Sequence, residues 1–398
     1  MKRILFVDDE IKILDGIRRM LYADRNRWEM QFALGGLAAL EACDAGSFDV
    51  VISDMRMPGM DGATLLGHIR DRYPNTARII LSGYSEAALA IRAVPVAHRF
   101  LAKPCSTDEL RSTIERVCSL QEMLNSPEIR RLIGAVGELP SLSMTYVTLT
   151  KTVSDPDAPV ERVAEIIEQD VAMSAKVLQL VNSAFFGLAQ KVSSLQNAVS
   201  YLGMETIKNL ALASEAFRVF KPGARVPQSV CESMQRHANR VAAIAGALPL
   251  DPKTREITVV SALLHDTGSL ILASLMPEQF CVAHALAAER GCKLFEAEEE
   301  LLGTSHAEIG AYLLGLWGIP NIAVEAIAFH HHPTRIPHAG LDCSTVVYLA
   351  NLLDHELEAH PQDSTGKRIA ERDRVCLEEL GVMPRFAEFR EFAKQSCN

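Results

Sequence analysis

The strongest constraint on the fold is a change of rhythm part-way along the chain. Up to about residue 120, short apolar runs alternate with amphipathic ones; beyond Leu139 only the longer, helical spacing persists. The short runs are "RILFV" (Arg3 to Val7), a weaker one near Met30 to Leu34, "FDVVIS" (Phe48 to Ser53), "RIILS" (Arg78 to Ser82) and "HRFLA" (His98 to Ala102). Helical spacing falls between them at Ile11 to Tyr22, Leu37 to Ala45, Ala63 to Arg72 and Glu86 to Ala93. Strands that are nearly all apolar, alternating with helices, predict a parallel sheet covered on both faces. At 398 residues the chain is too long for one ordinary core, so two or three domains are expected.

In such sheets, binding sites form at the carboxyl ends of the strands. Asp8 and Asp9 close the first strand, Asp54 the third and Ser82 the fourth, and Lys103 follows the fifth. Three carboxylates packed together repel one another and need a cation. All-oxygen ligation with few protein ligands suits Mg²⁺. Lys103 adds a second positive charge and Ser82 a hydroxyl donor. The set makes a trap for a phosphoryl group, with one carboxylate free to act as nucleophile. The plainer alternative is that these aspartates only cap helices and start turns, with "RMPGM" between Asp54 and Asp61 as a simple loop.

Over residues 1–120 the sequence resembles the receiver domain of two-component response regulators, on the motifs "VDDE", "SDMRMPGMDG", "LSGYS" and "LAKP". The resemblance implies a five-stranded sheet of order 2-1-3-4-5. It implies that Asp54 accepts phosphate, that Asp8, Asp9 and Asp54 hold Mg²⁺, and that the main-chain carbonyl of Arg56 is a further ligand. Ser82 and Lys103 would contact the phosphate, with a cis bond at Lys103-Pro104. Ser82 and Phe100 fall at the family's switch positions. The implied partner is a sensor histidine kinase or phosphotransfer protein.

"LNSPEIRRLI" then marks a fresh helix: Ser126 can cap it, Pro127 suits its first turn and Glu128 complements its dipole. A boundary is expected near Gln121, with a helical linker over residues 121–138. Further helices are predicted at Val160 to Gln169, Ala172 to Asn182, Leu195 to Tyr201, Glu205 to Phe217, Ser229 to Ala247 and Glu256 to His265. With no strand signal left, this part should be an orthogonal helical bundle. Residues 139–333 resemble the HDOD domain, a relative of the HD hydrolases. The motifs are "ELPSLS", "IIEQDVAMSAKVLQLVNSAFFG", "SSLQNAVSYLGMETIKNLAL", "LLHDTGSL", "SHAEIGAYLLGLWGIP" and "IAFHHHP". The expected architecture is therefore an α/β doubly wound receiver followed by an all-α HD-superfamily bundle. A C-terminal helical extension over 334–398 completes it. In that extension Leu377, Leu380, Phe386, Phe389 and Phe392 share near-helical spacing; it packs on the bundle or mediates a homodimer, and the spacing leaves both open.

The second part is rich in histidine at helix ends, and imidazole with carboxylate from separate helices is the usual material of a metal site in a bundle. His265 and Asp266 end one helix, and His330 and His331 precede Pro333. A capping box of Ser305 and Glu308 predicts an exposed His306. The resemblance to HD hydrolases implies that His237, His265, Asp266, His306, His330 and His331 could hold iron, manganese or zinc. Two departures count against catalysis. Asn351 stands where the late aspartate is expected, and Ser269 where active relatives often carry lysine. The "GYP" signature of the cyclic-di-GMP phosphodiesterase branch is replaced by "HHHPTRIP". The plainer alternative is that the histidines fix helix packing, with Asp266 paired to His237 or His265.

Composition narrows the function. With 48% apolar and 23% charged residues the chain reads as a folded soluble protein; no run appears long and apolar enough to span a membrane, and two aspartates interrupt the N-terminal apolar stretch, so a cytoplasmic location is expected. Its nine cysteines form no Cys-x-x-Cys pair and should be reduced. The net charge of −10 opposes nucleic-acid binding. "NSAFFG" reads as core packing and "AEEELLG" as a solvated helix face. The expected function is that of a response regulator acting through an unknown downstream protein partner. The alternative is a phosphorylation-gated, metal-dependent phosphohydrolase or phosphodiesterase.

Overall fold

The computed structural model describes residues 1–82, 93, 95–124, 126–136, 140–141, 148–149, 152–153, 155, 158–182, 191–212, 218–219, 226–337, 340–359 and 370–396. Five parallel strands open the chain: β1 (Lys2–Asp8), β2 (Trp28–Leu34), β3 (Val50–Asp54), β4 (Ala77–Ser82) and β5 (Arg99–Ala102). Their spatial order is 2-1-3-4-5, as expected. Every residue of β3 and β4 is buried, because α1 (Ile11–Met20), α2 (Gly36–Ala45), α3 (Gly62–Arg72) and α4 (Thr107–Met123) surround the sheet. The weak signal of β2 has a cause: it is an edge strand, and its burial is interrupted by solvent-facing Glu29, Gln31 and Leu34. The helix expected at Glu86 to Ala93 lies outside the described residues apart from Ala93.

Helix starts follow local capping chemistry. Asp61 accepts from Thr64 N at 2.8 Å, Ser106 from Glu109 N at 3.2 Å and Ser126 from Ile129 N at 3.3 Å. The last starts α5 (Pro127–Gly134), which follows α4 after a short break and presses on the sheet domain. A Cβ on Gly134 would lie 2.0 Å from the Pro74 carbonyl, so only glycine fits.

The rest is a helical bundle: α6 (Val160–Glu168), α7 (Val171–Val181), α8 (Leu195–Leu212), α9 (Gln228–Ala247), α10 (Pro252–Leu264), α11 (Thr267–Leu275), α12 (Pro277–Arg290), α13 (Leu294–Leu302), α14 (His306–Leu316), α15 (Asn321–Ala328) and α16 (Cys343–Ala359). The expectation of no strand here needs one correction: β6 (Pro140–Ser141) pairs in parallel with β7 (Arg218–Val219). Two-residue strands leave no periodicity to read. The two helices predicted around Gly203 are joined as α8, kinked where Gly203 takes φ 76°. α11 and α14 approach so closely that a Cβ on Gly268 would lie 1.9 Å from the His306 carbonyl.

By length and composition Pro252–Leu275 would pass as a membrane span, contrary to the sequence reading. Its most apolar window is 78% buried inside the protein, and the chain turns at His265 and Asp266. These helices form the core of the bundle. The tail forms α17 (Glu371–Glu379) and α18 (Phe386–Ser396), with Leu377, Leu380, Phe386 and Phe389 buried. It therefore packs on the bundle, α18 lying against α9 and α16. The adjacent Phe185 and Phe186 lie outside the described residues.

Candidate functional site

Two clusters of titratable groups stand out. The first lies at the carboxyl ends of the strands, where β1 delivers Asp8 and Asp9, β3 Asp54 and β4 Ser82. Asp8, Asp54 and Ser82 are buried; Asp9 is exposed. The Lys103 ammonium reaches between the carboxylates, 2.8 Å from Asp8 Oδ2 and in a shorter ion pair with Asp54 Oδ1. The Lys103 amide donates to the Ser82 carbonyl at 2.8 Å, and Lys103-Pro104 is cis as the sequence resemblance implied. Arg56 N donates to Asp54 Oδ2 at 2.7 Å, holding the carboxylate at the mouth of the site. Burial raises the pKa of Asp54, against the pull of Lys103. Lys103 is itself raised: its bonds to Asp54 and Asp8 outweigh burial, which acts the other way. Phe100 is buried in β5.

The second cluster gathers five histidines from four places in the bundle around Asp266. His265 Nδ1 donates to the Ala262 carbonyl at 2.6 Å and His330 Nδ1 to the Ile327 carbonyl at 2.7 Å. His306 Nδ1 meets Glu298 Oε2 at 2.6 Å, and His237 Nδ1 meets Asp354 Oδ2 at 2.7 Å. With each Nδ1 engaged by an acceptor, each Nε2 is left to face inward. Three of these Nε2 atoms converge on Asp266 Oδ1, at 3.3 Å from His306, 3.4 Å from His265 and 3.6 Å from His330. The fourth, from His237, lies 3.6 Å from Asp266 Oδ2. His331 Nε2 lies 2.9 Å from His306 Nε2.

Burial and the neighbouring acids pull the histidines in opposite directions. Burial pushes His265 down to about 4 and holds His330 and His331 well below the usual histidine range. His306 goes the other way, up to about 10: burial opposes its charge, but Glu298 and Asp266 more than offset this. Asp354, though burial would raise it, is held at about 2 by His237 and by Arg240, which grips it at 2.7 and 3.0 Å. His265 Nε2 and His330 Nε2 have no hydrogen-bond partner among the described residues. A buried, unpaired polar atom costs about 1–3 kcal/mol. Two such acceptors aimed at one carboxylate are what a cation would satisfy. Ligand atoms of His237, His265 and Asp266 lie within 4.8 Å of one another, and so do those of His306, His330 and His331. The residues present therefore fit a metal ion. Imidazole-rich ligation favours zinc or iron over magnesium.

A model of the response regulator receiver domain matches residues 4–115, and one of the HDOD domain matches residues 139–333. The chain is a receiver domain joined to an HDOD domain. With that pairing it belongs to the response regulators of two-component signalling. An uncharacterized protein of Treponema pallidum (strain Nichols) is 27% identical over 217 residues, which is 54% of this chain and 42% of that protein. The regulatory protein AtoC of Escherichia coli (strain K12) is 36% identical over 139 residues, 34% of this chain and 29% of AtoC. The chain spans less than half the length of these curated relatives. A virulence factor from Campylobacter jejuni subsp. jejuni, 24% identical with a TM-score of 0.51, covers 68% of this chain and is itself 98% covered; it shares the fold.

In the HDOD domain the structure corrects three readings. His306 is buried, not exposed, and the Ser305 side chain makes no cap; Thr304 bonds Glu308 instead. "AEEELLG" is not wholly a solvated face, since Glu298 within it is buried and also accepts from His306 N at 2.8 Å. Asp266 is not paired with His237 or His265 alone but is shared among four histidines. Asn351, where the late aspartate was expected, lines the adjoining cavity of about 420 Å³ together with Ser269, Tyr348, His355, Lys293 and Arg372. Its Oδ1 is buried with no partner among the described residues. The missing carboxylate is partly replaced by Asp354, one turn further along α16, which acts on His237 rather than facing the cluster directly. Glu298, Asp354 and His355, whose ring stacks on His237 at 5.0 Å, were all missed by sequence reasoning. Only "LLDHE" carried a signal, an acid beside a histidine in an apolar helix.

Proposed function

We propose that this response regulator is switched by phosphorylation of Asp54. The observation that carries the reading is the Lys103 ammonium held between Asp8 and Asp54 at the strand ends. One Asp54 oxygen attacks the phosphorus of a donor supplied by a sensor kinase, the donor's bond to phosphorus breaks, and an acyl phosphate results. Lys103 then transfers its ion pair from the carboxylate to a phosphoryl oxygen, and the Ser82 hydroxyl donates to another. Asp8, Asp9, Asp54 and the Arg56 carbonyl would hold Mg²⁺, which supplies charge neutralisation for the phosphoryl oxygens. The HDOD domain carries the output, through contacts with a protein partner. Incubation with a small phosphodonor should add one phosphoryl group to the wild type and none to Asp54→Ala. Labelling that survives in the variant would sink the assignment.

A second reading concerns the output domain: its histidine cluster binds a transition metal. Support comes from four Nδ1 atoms fixed by acceptors while their Nε2 atoms face Asp266. Such an ion, once bound, would supply an activated water for attack on a phosphate ester. Asp266, His237, His265, His306 and His330 would hold it, with His331 alongside, and Glu298 and Asp354 keep His306 and His237 in the tautomer that presents Nε2. Full-length protein purified without chelator should contain metal in proportion to chain, and His265→Ala should lose it. Metal-free wild type that remains metal-free after zinc, manganese and iron are added would leave protein contacts as the sole output.

A further inference from the structure

We infer that helix α14 physically joins the two clusters, so that filling one changes the affinity of the other; this rests on the metal reading given above. α14 begins at His306, inside the histidine cluster, and ends beside the receiver. Near its far end a Cβ on Gly315 would stand 2.7 Å from Leu120 Cδ2, so the receiver's last helix, α4, is seated directly on this glycine. Gly318, which ends the helix in the left-handed region at φ 84°, faces Arg99 at the start of β5; a Cβ there would be 3.7 Å from Arg99 Nε. Lys103, which bridges Asp8 and Asp54, follows the opposite end of that same strand. The path is thus two rigid elements in series: β5, roughly 13 Å long, and α14, about 16 Å long.

A coupling element must also have room to move and a contact it can leave. Beside the Leu120–Gly315 contact, a cavity of about 430 Å³ separates α4 from α15, with Arg116 and Leu120 on one wall and Val324, Glu325 and Phe329 on the other. Among the described residues, hydrogen bonds near the seam fall on backbone carbonyls. Arg78 donates to Gly134 O at 2.7 Å, and Gln179 donates to Ala97 O at 3.4 Å. Arg78 and Lys176 are buried there. When Lys103 leaves Asp54 for a phosphoryl oxygen, a displacement at the end of β5 reaches Gly318 through Arg99, and α14 carries it to His306. The N-terminus of α14 cannot shift freely, because Gly268 abuts the His306 carbonyl; motion there repositions His306 relative to His265 and Asp266.

The test uses the full chain and Co²⁺ as probe, because its visible absorption reports ligation at the cluster itself. Co²⁺ affinity is measured with the receiver empty and with it saturated by Mg²⁺ and beryllofluoride, an acyl-phosphate mimic. We expect the affinity to change by about five-fold or more, and beryllofluoride affinity to change by the same factor when Co²⁺ is bound, since coupling is reciprocal. Gly315→Ala, which pushes Leu120 off its seat, should bring both factors close to one while the Co²⁺ spectrum stays. Leu120→Ala removes the same contact without added volume and serves if the glycine variant does not fold. Identical Co²⁺ affinity in the two wild-type states would overturn the coupling and leave the metal reading intact. Absence of any Co²⁺ band in the wild type would remove the metal reading and the coupling with it.

Discussion

The two clusters solve the problem of gathered charge in opposite ways. In the receiver, three acids are brought together with a lysine, and the Lys103 ammonium already bridges Asp8 and Asp54. In the HDOD domain one carboxylate faces four imidazoles, two of them neutral by burial and without a partner for Nε2. The first site already holds a cation of its own, and on the proposed reading it would change when a phosphoryl group takes over the lysine. The second leaves two buried Nε2 acceptors unmet, and on the metal reading it would change when a cation arrives. The difference lies in what is left unmet: in the receiver a lysine spans the facing carboxylates, whereas in the HDOD domain His306 and Arg240 pair with acids while two neutral imidazole nitrogens keep no partner among the described residues.

The largest effect should come from the buried pair that organises the second cluster. Glu298→Ala leaves the cationic His306 uncompensated among buried groups, a loss of about 3–5 kcal/mol in the unfolding free energy. Denaturant unfolding of the full chain reads it directly; a change below about 1 kcal/mol would mean that Glu298 and His306 are coupled only loosely. Glu298→Gln, which keeps an acceptor for His306 Nδ1 but loses the charge, should fall between the two.

The receiver should respond less, because Lys103 is about a third exposed and solvent screens its pairing. Lys103→Met should cost about 1–3 kcal/mol, and added Mg²⁺ should restore much of it, since an ion can take over the lysine's charge at Asp8 and Asp54. Thermal unfolding with and without Mg²⁺ checks this; a variant that Mg²⁺ does not stabilise more than the wild type would break the comparison. The corresponding variant of the HDOD domain, His265→Ala, should show no such rescue by Mg²⁺, which ligates imidazole poorly.

The smallest effect is a pH dependence at the seam between the domains. Burial holds His98 well below the usual histidine range, with Arg78 adding to it. A histidine depressed in the folded state stays neutral while the unfolded chain takes up a proton. Its contribution is therefore fully present above about pH 6.5 and is lost as pH falls from there toward the folded value, at up to about 1.4 kcal/mol per unit. The difference in stability between wild type and His98→Gln should shrink between pH 7 and pH 5.5. A difference that stays constant would mean that His98 is solvated or already charged.

Legibility differed between the two sites for a physical reason. In the receiver the strands apart from β2 are short and largely apolar, and each candidate residue sits at or just beyond a strand end, so local pattern pointed to both the sheet and the site. Asp8, Asp54, Ser82 and Lys103 were readable because parallel strands bring their carboxyl ends to one edge whatever the details of packing. In the HDOD domain the motifs identified the ligand candidates, but helix periodicity did not say which way each side chain turned. Glu298 sits in an acidic run that looks solvated, and its burial depends on the position of α13 against α14. Asp354 was passed over for Asn351 because the two are one turn apart on α16, and only the packing of that helix against α9 selects which one meets His237.

By itself, then, the sequence determined the alternation of strands and helices up to about residue 120, the predominantly helical pattern beyond Leu139 and the candidate residues of both clusters apart from Glu298, Asp354 and His355. Tertiary structure decided the protonation and direction of the histidines, the roles of Glu298 and Asp354, and the contact of Leu120 with Gly315 that sets α14 between the domains. Strand and helix spacing are written in neighbours a few residues apart. Charge state and orientation are set by groups a hundred residues distant, such as Asp354 on His237, and come into being only when the helices have packed.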